Sequence, residues 1–253
     1  MNPVHILASY SIKGGVGKTA AAVNLAWLAA REGARTLLWD LDPQGAATYY
    51  YRVRPAIRGG LRALQRKRRL QREIKATDFE DLDLLPADFS YRRMDLALSR
   101  ESKPRQRLAR ILAAIGRDYD WIILDCPPGM TLVSENVFEA ADAIAVPLVP
   151  TTLSLRAYDQ LLAWRRRKQL TRLQLLPFFS MVERRKRLHR DLIAQVQKQR
   201  REVLQAEIPY SSILEQMGVY RQPVVQHAPE SLAALSFRRL WNELKGKVVR
   251  GEG

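Results

Sequence analysis

The chain has few cysteines, no long apolar run and no repeats, and each shortage removes a class of protein. A single cysteine, Cys126, stands among 253 residues. One thiol can neither close a disulfide within the chain nor furnish a multi-cysteine metal site. The best apolar run, "TAAAVNLAWLAA", falls short of the roughly 20 residues that span a bilayer. The start, "MNPVHILASYSIKGG", has neither a basic leader nor a cleavage site, so it does not read as a signal peptide. No internal repeat and no low-complexity tract interrupts the chain. These absences predict a reduced, cytoplasmic protein with no stable membrane insertion.

Positive charge is abundant. The chain carries 42 Lys/Arg and 26 Asp/Glu, a net charge of +16. Residues 52–75 hold a net +9 and residues 164–201 a net +11, which leaves the rest of the chain at net −4. Such concentration favours a surface for a polyanion over general solubility.

Strand and helix signals alternate. "VHILASY", "RTLLWD", "LDLLPAD", "WIILDCPPG", "AIAVPLVP" and "LQLLPFFSMV" read as buried strands. Helical spacing runs over 19–32, with Gly33 as a stop signal, and near 105–115, 154–171, 187–204 and 230–245. This order predicts an α/β fold: a doubly wound, mostly parallel sheet with helices on both faces, as one domain over 1–253. Residues 52–75 read as a basic insertion, helical around Leu61–Leu70 and in part mobile.

The chemistry starts between the first strand and the first helix. Gly14, Gly15, Val16, Gly17, Lys18 and Thr19 form a glycine-rich turn that opens a helix. Backbone N–H groups there can curl around a phosphate, and the helix N-terminus adds partial positive charge. Lys18 supplies a full charge to the β/γ-phosphates, and Thr19 a hydroxyl to Mg²⁺. The usual phosphate-loop pattern has a glycine where Ile12 stands; here the loop reads K-G-G-V-G-K-T and brings a second lysine, Lys13. Asp125 ends a hydrophobic strand, a position suited to holding a Mg²⁺-bound water. In "LLWDLDPQG", Asp40 and Asp42 are two residues apart, so strand geometry sends both to one side. One is placed to steady the metal and the other to orient an attacking water. Asp42 also fits a plain turn before Pro43.

"KGGVGKT" at 13–19, "DLDPQG" at 40–45 and "IILDCPPG" at 122–129 resemble the deviant Walker A loop, the second-strand aspartate motif and the Walker B region of the ParA/MinD group of P-loop ATPases. The resemblance continues through 82–88, 141–161 and the closing 208–244. It implies ATP and Mg²⁺ as cofactors, with the nucleotide at Gly14–Ala20 and Pro209. It implies that Lys13 reaches across a dimer to the partner's nucleotide while Lys18 acts in its own subunit. Thr19 and Asp125 serve Mg²⁺, with Asp40 nearby, and Asp42 matches the aspartate tied to hydrolysis. It further implies an ATP-induced homodimer that binds duplex DNA non-specifically at the nucleoid. A ParB-like or other stimulating partner would then speed a slow hydrolysis and release the DNA. The loop opens so early that a short form without an added operator-binding domain is expected. Two departures stand out. Ala20 replaces a hydroxyl residue common in the group, and "IPYSSI" at 208–213 lacks the arginines that other members use for DNA.

The expected DNA surface therefore lies elsewhere. On a helix at roughly 100° per residue, Arg187, Arg190, Lys198 and Arg201 share one sector, with Leu188, Leu192 and Val196 opposite. Arg165 and Arg166 flank this stripe in sequence. Two other classes fit the sequence less well. A membrane-associated, MinD-like ATPase needs an amphipathic helix beyond the fold, but Phe237, Leu240, Trp241 and Leu244 read as a core helix. A metabolic P-loop ATPase has no use for two such basic segments.

Overall fold

The computed structural model describes residues 4–61 and 67–250. Its strands, in chain order, are β1 (His5–Ser9), β2 (Thr36–Asp40), β3 (Lys75–Ala76), β4 (Leu82–Leu85), β5 (Trp121–Asp125), β6 (Ala143–Leu148), β7 (Gln174–Val182) and β8 (Glu207–Pro209). They form one sheet in the order β3-β4-β2-β5-β1-β6-β7-β8. Only β3 runs antiparallel to its neighbour. The expected doubly wound, mostly parallel sheet is present.

The central strands read as continuous apolar runs because both their faces are covered. Leu37 and Trp39 of β2 face one core, while Leu38 faces the other. Ile122 and Leu124 of β5 divide from Ile123 in the same way. The helices are α1 (Lys18–Arg31), α2 (Ala46–Tyr50), α3 (Lys67–Gln71), α4 (Met94–Ser99), α5 (Arg107–Ile115), α6 (Leu132–Ala140), α7 (Thr152–Arg167), α8 (Arg187–Gln199), α9 (Ser212–Glu215), α10 (Met217–Tyr220), α11 (Val224–His227) and α12 (Leu232–Arg250). One face of the sheet carries α1 and α12, and the other carries α5 to α8. The alanines of α1 face Ala143 and Ala145 of β6 in one core, where small side chains let helix and strand approach closely.

Register fixes the site. Ser9 of β1 and Asp40 of β2 both pair with Asp125 of the intervening β5, so three polar residues share a row at the carboxyl ends of the strands. Sheets of this kind bind ligands at that edge.

Several boundaries differ from the sequence reading. The helix expected over 187–204 stops at Gln199. Arg200 leaves helical geometry, its guanidinium paired with Asp159 at 2.8 Å and lying over the Tyr158 ring. The helix expected to 171 stops at Arg167, and Gln169 takes a left-handed conformation. The last helix runs on to Arg250 because Val248 still has core to face. Within the basic 52–75 segment, Ile57 and Leu70 are buried, and Arg58 pairs with Glu73 at 3.1 Å. Helix α3 lies in this segment, while positions 62–66 of the expected helix lie outside the described residues.

Candidate nucleotide site

The turn from β1 to α1 is built by its own side chains. Ser9 Oγ donates to the Lys18 carbonyl at 2.8 Å, which ties the strand's end to the helix's start. Gly17, the residue before α1, has φ +94°, a left-handed conformation that an L side chain resists. A Cβ there would lie 2.8 Å from Ser180 Oγ of β7. Both the backbone and its neighbour therefore demand glycine. Neighbouring loops brace the turn: the Gly129 amide donates to the Ile12 carbonyl at 3.1 Å, and the Tyr10 hydroxyl donates to the Gly129 carbonyl at 3.1 Å.

Above this turn is a cavity of about 440 Å³. Gly14, Gly15, Gly17, Lys18, Thr19 and Ala20 form one wall. Asp42, Tyr50, Pro128 and Pro209 contribute from other loops. Val16 is buried and not on the lining, so only its backbone is available to a ligand. Lys13 is not on the lining either; it borders a separate small pocket beside Ser11 and Tyr158.

Lys18 is 7% exposed, and its Nζ donates to the Lys13 carbonyl at 3.2 Å. Burial lowers its pKa, while Asp125 and Asp42 pull the other way. Its charge is thus held with little hydration, which strengthens its attraction for a phosphate. Asp42 forms the expected turn, its Oδ1 accepting the Gln44 amide at 2.9 Å, and it also lines the cavity. Asp40 is fully buried behind it. Its Oδ2 accepts the Thr48 amide (2.8 Å) and hydroxyl (2.7 Å), and its Oδ1 accepts the Asp42 amide at 3.2 Å. Burial raises its pKa to about 6 despite these bonds. Asp40 therefore anchors the loop that carries Asp42.

Asp125 is the unsatisfied member of this network. It is wholly buried, and neither carboxylate oxygen has a hydrogen-bond partner. Burial, and then the charge of Asp40, push its pKa well up; the nearby Thr19 hydroxyl eases the charge without satisfying it. An unpartnered buried carboxylate is costly, and a cation next to Thr19 would remove the cost. No cluster of three or more metal-ligating side chains exists among the described residues. That suits Mg²⁺, which takes one or two protein ligands and fills its shell with water and substrate phosphates. Thr19 and Asp125 are the residues that would hold it. When bound, the ion would neutralise charge spread over the β- and γ-phosphates.

Some lining residues had no sequence signal. Tyr50 comes from α2, a helix not expected, and burial raises its pKa. Ser180 and Met181 come from the end of β7, and Tyr210 follows β8. The run Tyr49-Tyr50-Tyr51 just after "DPQG" was the one available hint; Tyr51 locks α2 to α1 by donating to the Val23 carbonyl at 2.7 Å.

The basic residues divide into two groups. Arg187 and Arg190 lie in the first turn of α8, exposed, just after the carboxyl end of β7, with Arg187 paired to Asp191 at 3.3 Å. Lys198 is exposed in the last turn of α8. Arg201 lies past the end of α8 and borders a groove with Arg165 and Arg166. The single stripe expected from helical spacing is broken there. Leu188, expected to face inward, is 62% exposed, and His189 takes the inner position with Leu192 and Ile193. His189 is held by accepting the Glu183 amide on Nδ1 at 3.2 Å.

Known proteins match this chain. An AAA domain family model matches residues 4–175. The chain is 32% identical to the sporulation initiation inhibitor protein Soj of Bacillus subtilis, over 94% of this chain and 97% of that protein. It is 34% identical to the chromosome-partitioning ATPase Soj of Thermus thermophilus, over 97% of each. The chain belongs to the ParA/Soj family of P-loop ATPases. A solved structure of cobyrinic acid a,c-diamide synthase from Mycobacterium smegmatis, with bound ADP and magnesium, shares the fold at a TM-score of 0.81. It is 26% identical and covers 98% of this chain and 97% of that one. As a ParA/Soj-family member the chain is a partitioning or positioning ATPase whose cofactors are ATP and Mg²⁺.

Proposed function

We propose that ATP joins two copies of this chain, that the dimer binds duplex DNA without sequence preference, and that stimulated hydrolysis releases it to partition or position a cargo. The observation that carries this reading is the position of Lys13. It stands at the head of the phosphate loop, yet its side chain is not on the wall of its own nucleotide cavity. Its carbonyl accepts a hydrogen bond from Lys18 Nζ at 3.2 Å, and the different placement of the two side chains supports different tasks for the two lysines. Met130 and Leu153, exposed at 38% and 62%, follow the carboxyl ends of β5 and β6 and offer apolar surface at that edge. A lysine completing the partner's site makes the γ-phosphate the bond between subunits, and hydrolysis then weakens the dimer.

Light scattering is expected to show an ATP-dependent dimer for Asp42→Ala, which should bind but hydrolyse slowly. Adding Lys13→Ala should return it to monomer; a dimer that survives the second change refutes the reading. For DNA, Arg187 and Arg190 are the favoured phosphate contacts, near the nucleotide end of the molecule. Changing both to Glu should weaken gel-shift binding by at least about tenfold at moderate salt, uniformly across sequences. Unchanged binding would remove this surface from the proposal. The stimulating partner would be a ParB-like or other adaptor protein, acting at the nucleoid in the cytoplasm.

The membrane-associated alternative has less support. Among the described residues no helix is long and apolar enough to cross a membrane. The apolar face of α12 (Phe237, Leu240, Trp241 and Leu244) is already buried in the core.

A further inference from the structure

A second groove, of about 830 Å³, opens at the amino ends of β1, β6 and β7. The nucleotide cavity is at the opposite ends of these strands, at least about 15 Å away by the length of β1. Arg165, Arg166, Arg172, Arg201 and Lys247 border the groove against two carboxylates, Asp142 and Glu202. Asp142 is committed, its Oδ2 accepting the Ile6 amide at 2.7 Å. Arg165 donates to the carbonyls of Leu170 and Thr171, both at 3.1 Å. Arg166, Arg172, Arg201 and Lys247 have no ion-pair partner among the described residues. Val4, Leu162, Leu175 and Val248 give the same groove an apolar part.

Two buried polar atoms on this lining lack partners: the Tyr158 hydroxyl and the Gln174 amide oxygen. Tyr158 is 1% exposed. Burial raises its pKa, with Glu202 adding to the effect and Arg200 and Arg165 opposing it. Native interiors seldom leave such groups unpaired. A hydroxyl can donate to an anion, whereas an amide oxygen can only accept.

We infer that this groove binds a phosphorylated small molecule that also carries hydroxyl or amino donors, such as a nucleotide or a sugar phosphate. The free cations take the phosphate, Gln174 accepts from the donor, and the aliphatic side chains cover the carbon skeleton. The volume falls within the range of roughly 300–1,000 Å³ usual for small-ligand sites. A DNA duplex would meet the exposed arginines but leave the buried pair unsatisfied. The site is separate from the nucleotide cavity and does not depend on the dimer or DNA reading above.

The test is calorimetry on protein saturated with a non-hydrolysable ATP analogue and Mg²⁺, so that the nucleotide cavity is blocked. GMP, glucose 6-phosphate and inorganic pyrophosphate are titrated separately. One further equivalent of GMP or glucose 6-phosphate should bind, the tighter of the two identifying the source, and pyrophosphate should bind at least about tenfold more weakly. Arg166→Ala and Arg201→Ala should each cost about tenfold, and Tyr158→Phe about fivefold, with affinity for the ATP analogue unchanged. Three results would overturn the inference: no saturable binding, binding indifferent to these changes, or pyrophosphate equal to both organic phosphates. If the arginine changes weaken only duplex DNA binding, the groove belongs to the nucleic-acid surface and the inference fails.

Discussion

Asp125→Asn is expected to stabilise the nucleotide-free protein and to abolish its ATPase activity. In the free protein this carboxylate is buried with both oxygens unpartnered, and burial raises its pKa. A carboxyl whose folded pKa is raised favours folding while protonated, and that advantage is lost as pH rises through the folded value. At neutral pH the wild type therefore bears the cost of either a buried charge or a proton held against its ordinary ionisation, and the amide bears neither. Since the amide is still unsatisfied, the gain is modest, about 1–2 kcal/mol, or roughly 3–6 °C in Tm. The difference should shrink as pH falls below the ordinary Asp value of about 3.9, where the carboxyl becomes neutral in both the folded and the unfolded chain. Saturating Mg²⁺ and ATP should reverse the order, since a ligand at about 100 times its Kd stabilises the wild type by about 2.7 kcal/mol. Differential scanning fluorimetry with and without ligand would show the crossing. A variant less stable than wild type in both conditions would mean that Asp125 is structural, not a metal residue.

Gly17→Ala should lower the stability of the fold and remove nucleotide binding together. The left-handed backbone at φ +94° costs an alanine about 1–2 kcal/mol. The new methyl would also meet Ser180 Oγ at 2.8 Å, adding about 1–3 kcal/mol unless β7 shifts. The sum corresponds to a fall of roughly 5–15 °C in Tm. Ser180→Ala in the same chain should restore the contact part and leave the backbone part, so stability returns only in part. ATP affinity should not return, because the phosphate needs the loop's amides in their native directions. Full recovery of both by Ser180→Ala would show that the contact alone enforces glycine.

Wherever a local pattern had one physical meaning, the sequence was readable. The β5 run ends in an acid and two prolines because a strand covered on both faces must stop where polar groups begin, and Asp125 marks that point. The phosphate loop was legible because few backbones other than a strand-to-helix turn use that many glycines. Helix α6 was missed: its capping box pairs Thr131 with Ser134 instead of the familiar Glu, and glycine and prolines precede it. Leu188 was misplaced because helical spacing cannot tell which sector turns inward, and a histidine with an internal partner took the place. Arg201 was assigned to a stripe that ends before it, since the Arg200–Asp159 pair that accompanies the end of the helix is a long-range contact. The groove that collects Arg201, Arg165 and Arg166 exists only once β1, β6 and β7 are side by side.

The division of labour between the two lysines can be measured by complementation. Lys13→Ala and Lys18→Ala should each lose ATPase activity when assayed alone. In a mixed dimer, however, the intact phosphate loop of one chain faces the intact Lys13 of the other, so one complete site is rebuilt. An equal mixture, exchanging freely, should recover up to about a quarter of wild-type activity, since about half the dimers are mixed and each has one working site. If Lys13 serves its own subunit's nucleotide, every site in the mixture lacks one lysine and no activity returns. That result would contradict the account.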